Sequence, residues 1–320
     1  MPQIFEITRT VQNTTVRYRL YVPSMTSQQS SSTNTSGRKV PLFLLLHGFG
    51  GKLEHMQNHA NRLADLGIVV FTPDMSSLTS PSITVAQLRN IQQIIDHLTW
   101  LINNTNTNSD TTNNRTPYET ELFSKIPPID QQHIYLFGHS AGGAVVYETG
   151  IEIFEKKLTN VMPRAIILLD GVPWPRTIQR SQNFPFHQIK LISLRAEPSA
   201  WNMHNELGKI ITIMKKLIDA DQTTTTNTKD KQTLVDLLIC KAGHGDPVDP
   251  KGSQCFMKAL GLLGPAYCWD IYNSLILAIG EDAMQDIQTN NSDNNKQNTK
   301  LYRYIKELES QKSININVDI

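Results

Sequence analysis

The chain has 320 residues, enough for one large domain with a full core, and 39% of them are hydrophobic. Its 30 basic and 29 acidic residues give a net charge of +1, and no basic cluster tracks along a helix, so a nucleic-acid partner is not expected. No apolar run reaches membrane-spanning length, and MPQIFEITRT lacks the basic start and apolar core of a signal peptide, so no transmembrane segment and a cytoplasmic location are expected. Three cysteines do not make a disulfide framework; Cys255 and Cys268 are expected as reduced thiols, a pair only in an oxidising compartment.

Taken in chain order, Ile4–Thr8 and Thr15–Val22 read as strands around a turn at Gln12-Asn13. Val40–Leu46 (VPLFLLL) is short and wholly apolar, the pattern of a central strand buried on both faces. It ends in His47-Gly48-Phe49-Gly50-Gly51. Lys52–Leu66 looks helical and stops at Gly67, and Ile68–Thr72 is the next strand, closed by Pro73-Asp74. Ile83–Ile102 repeats apolar residues at helical spacing. Gln132–Phe137 is another strand, followed by Ala165–Leu169, Ile189–Leu194 and, as the last, Leu234–Ile239.

Between these lie four almost purely polar stretches, Ser24–Arg38, Asn103–Thr116, Asp221–Thr233 and Thr289–Thr299. They cannot bury enough apolar surface to offset their ordering entropy and read as surface-loop insertions. Short apolar strands alternating with helices predict an α/β architecture, a mostly parallel central sheet with helices on both faces. Residues 1–288 are expected to form that single domain, and 289–320 a polar linker with a terminal helix over Leu301–Leu308.

The run IYLFGHSAGGAVVYE joins an apolar strand to a helix through Gly138-His139-Ser140-Ala141-Gly142. This is the spacing of a nucleophile elbow, where a serine sits on a tight strand-to-helix turn that glycines allow to close. A serine is a poor nucleophile alone and needs a base and an orienting acid, in the chain order Ser, acid, His. His244, in the glycine-flanked loop after the last strand, is the expected base. His133, His139, His187 and His204 follow no late strand end. For the acid, Asp170 ends the strand after the elbow and is favoured over Glu197, which follows the next strand. Asp246 lies too close in sequence to His244 to reach back to its ring and reads as a turn residue. Oxyanion donors are expected from the amides of Ala141 and Phe49.

Other signals carry less. His55 and His59 are four apart on a helix, but without a third ligand no metal site is expected, and no cofactor is needed. Trp174, with Phe184 and Phe186, reads equally as an acyl-pocket wall and as packing, and Trp201 reads as packing.

Over Val40 to Gly245 these motifs resemble the α/β-hydrolase superfamily. HGFGG resembles the oxyanion loop and GHSAGG the elbow of platelet-activating-factor acetylhydrolases, chlorophyllases and related esterases. IILLDGVPWP resembles the acid-bearing segment of the acetylhydrolases, and LISLRAEPSAWN the strand that follows it. The resemblance implies the α/β-hydrolase fold, Ser140, Asp170 and His244 as a catalytic triad, and a serine esterase acting on a small-molecule or lipid ester through an acyl-enzyme. It favours Asp170 over Glu197. Acyl transfer, or thioester or peptide cleavage, is the competing reaction on the same residues, and a catalytically silent binding protein is the competing class.

Overall fold

The computed structural model describes residues 1–11, 14–24, 39–75, 83–106, 115–222, 234–248, 262–289 and 299–316. The strands are β1 (Gln3–Val11), β2 (Thr14–Val22), β3 (Val40–Leu46), β4 (Val69–Pro73), β5 (Ile129–His139), β6 (Ala165–Leu169), β7 (Lys190–Arg195), β8 (Leu234–Ile239) and β9 (Ile314–Ile316). They form one sheet in the order β1-β2-β4-β3-β5-β6-β7-β8-β9. From β4 across to β8 every pairing is parallel, and antiparallel strands close both edges.

The helices are α1 (Gln57–Asp65), α2 (Ile83–Asn106), α3 (Pro117–Lys125), α4 (Ala141–Glu155), α5 (Pro175–Arg180), α6 (Leu207–Gln222), α7 (Ala266–Thr289) and α8 (Lys300–Ser310). Side chains alternate across each central strand, as the two-residue repeat requires. Leu42, Leu44, Leu46, Leu136, Ile166 and Leu168 pack with α2, α4 and α6 on one face. Phe43, Leu45, Tyr135, Phe137, Ile167 and Leu169 pack with α1, α7 and α8 on the other. Burying both faces explains why these strands are continuous apolar runs.

Several elements differ from the sequence reading. The elbow strand begins at Ile129 rather than Gln132, because Asp130 and Gln131 precede its apolar part across a register shift between Val40 and Leu42 of β3. α2 runs to Asn106, whose side chain caps the start of β5 by donating to the Ile129 carbonyl (2.9 Å) and accepting from its amide (2.9 Å). The segment Lys52–Leu66 opens as a 3-10 turn over Leu53–Met56 before α1. β8 is not the last strand: β9 pairs antiparallel with it, Leu237 opposite Ile316. Its three residues, INI, alternate apolar and polar, but the sequence reading took Leu234–Ile239 as the last strand. The polar insertions fall largely outside the described residues, as does Cys255, and with it the pairing of Cys255 and Cys268. Cys268 is buried, and burial pushes its thiol up to about 12.

The strand order fixes where a site can form. The chain leaves β3 for β4 on one side and returns to β5 on the other, so β3 and β5 flank a topological switch point, with the crevice at their carboxyl ends. Leu46 pairs with Gly138, and Gly138 with Leu168, so HGFGG, GHSAGG and the Asp170 turn leave the sheet at one level.

Candidate active site

Ser140 sits between β5 and α4 with φ 52° and ψ −125°, a backbone conformation that non-glycine residues rarely adopt. The turn is locked by hydrogen bonds. The Ser140 amide donates to Leu169 O (3.2 Å), and its carbonyl accepts from the amides of Gly143 (2.9 Å) and Val172 (2.9 Å). Two glycines are there for space. A Cβ on Gly138 would overlap the Gly142 carbonyl, and one on Gly142 would overlap the His47 carbonyl oxygen. The strand, the helix and the end of β3 meet backbone to backbone, with the α4 N-terminus beside Ser140.

The three residues expected to act together are brought together. His244 Nε2 lies 2.9 Å from Ser140 Oγ, and His244 Nδ1 lies 2.6 Å from Asp170 Oδ2. All three are buried. With Nδ1–H donating to the carboxylate, Nε2 carries the lone pair and accepts the serine hydroxyl proton.

Asp170 is held as firmly as it holds. Its φ is 46°, and its amide donates to Leu194 O (2.7 Å). Oδ1 accepts from the Ala196 amide (3.0 Å), and the Asn202 side-chain amide donates to Oδ1 (3.3 Å) and Oδ2 (3.2 Å). Asn202 is itself fixed, donating to Glu197 O (2.9 Å) and accepting from the amides of Ser199 (2.8 Å) and Asn205 (3.1 Å). The sequence reading missed Asn202; its only trace was its place in LISLRAEPSAWN. Three left-handed residues follow it, Met203, His204 and Asn205, with φ of 50°, 54° and 66°.

The other carboxylates brace the histidine loop. Glu197 Oε1 accepts from the Lys241 amide (2.7 Å), and the Glu197 amide donates to Ala242 O (3.1 Å). Asp246 Oδ2 accepts from the amides of Gly243 (2.7 Å) and Gly264 (3.0 Å), pinning both arms of the loop. Burial, opposed by those two amides and reinforced by the charge of Asp170, holds the Asp246 carboxyl above the ordinary value.

The HGFGG loop comes from the opposite side. A Cβ on Gly48 would lie 2.8 Å from Ser140 Cβ, so the backbone runs directly past the serine. His47 is buried; its Nδ1 donates to Gly48 O (2.8 Å), and its Nε2 accepts from the Met75 amide (3.1 Å). Gly51 N also donates to Gly48 O (3.0 Å). Gly48 O belongs to the same peptide plane as the Phe49 N–H, so these bonds fix the direction of that donor. The Phe49 side chain is 65% exposed, whereas Ala141, the first residue of α4, is buried. Asp74 lies 3.6 Å from His47 Nε2 and accepts from the Arg17 guanidinium (3.1 Å); the His47 ring beside it, then Arg17, hold its carboxyl below the usual value.

The remaining signals resolve as packing or surface. His59 is buried, with Nε2 at 2.8 Å from Pro247 O and Nδ1 at 3.2 Å from Asn273 Oδ1. Among the described residues no group of three or more His, Cys, Asp or Glu is arranged to hold a metal ion, and no helix is long and apolar enough to cross a membrane. Phe184 stacks on Tyr147 with ring centroids 4.8 Å apart, and Trp174 and Phe186 pack at the edge of the same core. Trp201, expected to pack, is 48% exposed.

This arrangement, with the site at the carboxyl ends of β3, β5, β6 and β8, is an α/β-hydrolase fold, and solved structures share it. A putative dienelactone hydrolase from Klebsiella pneumoniae superposes with a TM-score of 0.51 at 12% identity, over 82% of this chain and 98% of that one. A ferulic acid esterase from Streptomyces cinnamoneus gives 0.53 at 14% identity, over 88% of each chain. A fungal esterase from Rhizomucor miehei gives 0.53 at 13% identity, over 91% of this chain and 86% of that one. No protein-family model matches the chain, and no curated protein matches it.

Proposed function

We propose that the protein is a serine hydrolase of carboxylic esters, with Ser140 as nucleophile, His244 as general base and acid, and Asp170 as the orienting carboxylate. The observation that carries this reading is the unbroken chain Ser140 Oγ, His244 Nε2, His244 Nδ1, Asp170 Oδ2, at 2.9 and 2.6 Å, at the topological switch point. Ser140 Oγ attacks the ester carbonyl as His244 Nε2 takes its proton. The tetrahedral oxyanion is bound by the amides of Ala141 and Phe49. The C–O bond to the alcohol breaks, and His244 returns the proton to the leaving oxygen. Water then adds to the acyl-enzyme, its proton passing through His244 back to Ser140 Oγ as the acid departs. Asp170 holds the ring in the Nδ1–H tautomer and stabilises the imidazolium. None of these steps calls on a cofactor.

The resemblance of HGFGG, GHSAGG and IILLDGVPWP to acetylhydrolases and chlorophyllases directs the choice of substrate toward small acyl or lipid-like esters. The similar solved structures named as esterases and a dienelactone hydrolase belong to the same reaction class. A fluorophosphonate probe tests the reading. The labelled peptide is expected to be the one containing Ser140, and label confined to any other peptide overturns the assignment.

A further inference from the structure

His139, the residue before the nucleophile, takes no part in that mechanism, yet it touches all three parts of the site. It is buried at the end of β5, and its Nε2 lies 2.8 Å from the backbone carbonyl of His244. A carbonyl only accepts, so Nε2 carries the hydrogen. The His139 and His244 rings face one another, with centroids 4.9 Å apart at 35°. Nδ1 is buried without a hydrogen-bond partner among the described residues, and a Cβ on Gly48 would come within 3.0 Å of it. Protonating His139 would therefore place an unsatisfied N–H against the HGFGG loop. Burial, and after it the charge on His244, hold the His139 imidazole well below its ordinary range. It stays neutral beside a ring that gains and loses a proton in each turnover.

We propose that His139 is a positioning residue for His244, fixing the loop backbone through Nε2–H and supporting the imidazolium through the face of its own neutral ring. This rests on the reading of Ser140 and His244 as nucleophile and base. The bond and the ring make separable contributions. Glutamine can offer an N–H at similar reach without the ring; phenylalanine offers a ring without the N–H; leucine offers neither. Among the described residues, Asp170 and Ser140 contact the His244 ring, and the charges acting on His139 are those of His244, His55 and His47.

The test is the kcat and the pH profile of kcat/KM for p-nitrophenyl butyrate hydrolysis by the full chain and its His139→Gln, His139→Phe and His139→Leu variants. Leucine is expected to lower kcat by about tenfold or more and to move the acidic limb to lower pH by roughly half a unit, because the imidazolium loses its facing ring. Glutamine is expected to restore kcat to within about threefold while the limb stays moved. Phenylalanine is expected to hold the limb but not the rate. A glutamine variant as slow as leucine, or an unmoved limb in glutamine, overturns the proposal, and glutamine decides the question if leucine does not fold. Ser140→Ala is assayed alongside. If it is inactive, the triad reading survives whatever the His139 variants do; if it turns over normally, both fall.

Discussion

The elbow and the histidine loop meet at two hydrogen bonds, Ser140 Oγ with His244 Nε2 and His139 Nε2 with the His244 carbonyl, but they are built in opposite ways. The elbow is specified within a few residues: Gly138 and Gly142 are small because backbone passes where a Cβ would stand, and Ser140 takes its unusual φ between them. The histidine loop has no such local rule. Lys241 is held by Glu197 and the His244 carbonyl by His139, partners from two separate parts of the chain, while Asp246 within the loop ties Gly243 to Gly264. Local sterics fix Ser140, and mostly remote hydrogen bonds fix His244. Damage to the first should distort the turn itself. Damage to the second should leave the turn intact and loosen His244.

The largest expected effect tests both regions together. Ser140→Ala and His244→Ala should each lower kcat by on the order of 10⁴–10⁶, and the double variant should be little worse than either alone, because the pair acts as a unit. Multiplicative losses in steady-state assays would mean that the two do not share a step. Next in size, Asp170→Asn should cost about 10⁴ in kcat. Glu197→Gln keeps an acceptor for the Lys241 amide and should stay within about threefold of the parent. The reverse pattern would move the acid to Glu197 and erase the distinction between partner and brace.

Asn202→Ala is a smaller break. It removes the amide that donates to both Asp170 oxygens, so kcat should fall roughly ten- to a hundredfold with KM little changed. A change confined to KM would place Asn202 at the substrate instead.

The smallest effect concerns Asp246. Its raised folded value means the native state holds this proton more tightly than the unfolded chain does. The stability it contributes is therefore fully present below the ordinary carboxyl value of 3.8 and is lost as pH rises through the folded value. In thermal unfolding followed across that window, Asp246→Asn should lack this pH dependence while retaining measurable turnover. An identical pH dependence of Tm in parent and variant would contradict the raised value that burial gives Asp246.

This contrast also explains what could be read from the sequence. The parallel sheet was legible because strands buried on both faces must be apolar throughout, and Val40–Leu46 and Ala165–Leu169 are. β9 was not, because an edge strand of three residues carries no such signature. Ser140 was legible because its geometry demands glycines at fixed spacing, and His244 because it follows a strand end. Asp170 had to be weighed against Glu197, since two carboxylates after successive strands look alike until the fold shows which reaches the imidazole. Asn202 and the positioning role proposed for His139 were out of reach. Both depend on side chains meeting across long stretches of chain, and neither residue type is unusual where it stands.

The central claim is that Ser140 carries the acyl group between the two halves of the reaction. Acid-quenching the protein during turnover of a p-nitrophenyl ester, with digestion and mass measurement of the peptides, tests it directly. An added acyl mass is expected on the peptide containing Ser140, with accumulation in Asp170→Asn below that of the parent and none in Ser140→Ala. Ester hydrolysis that persists in Ser140→Ala, or an acyl mass on a different peptide, would contradict it.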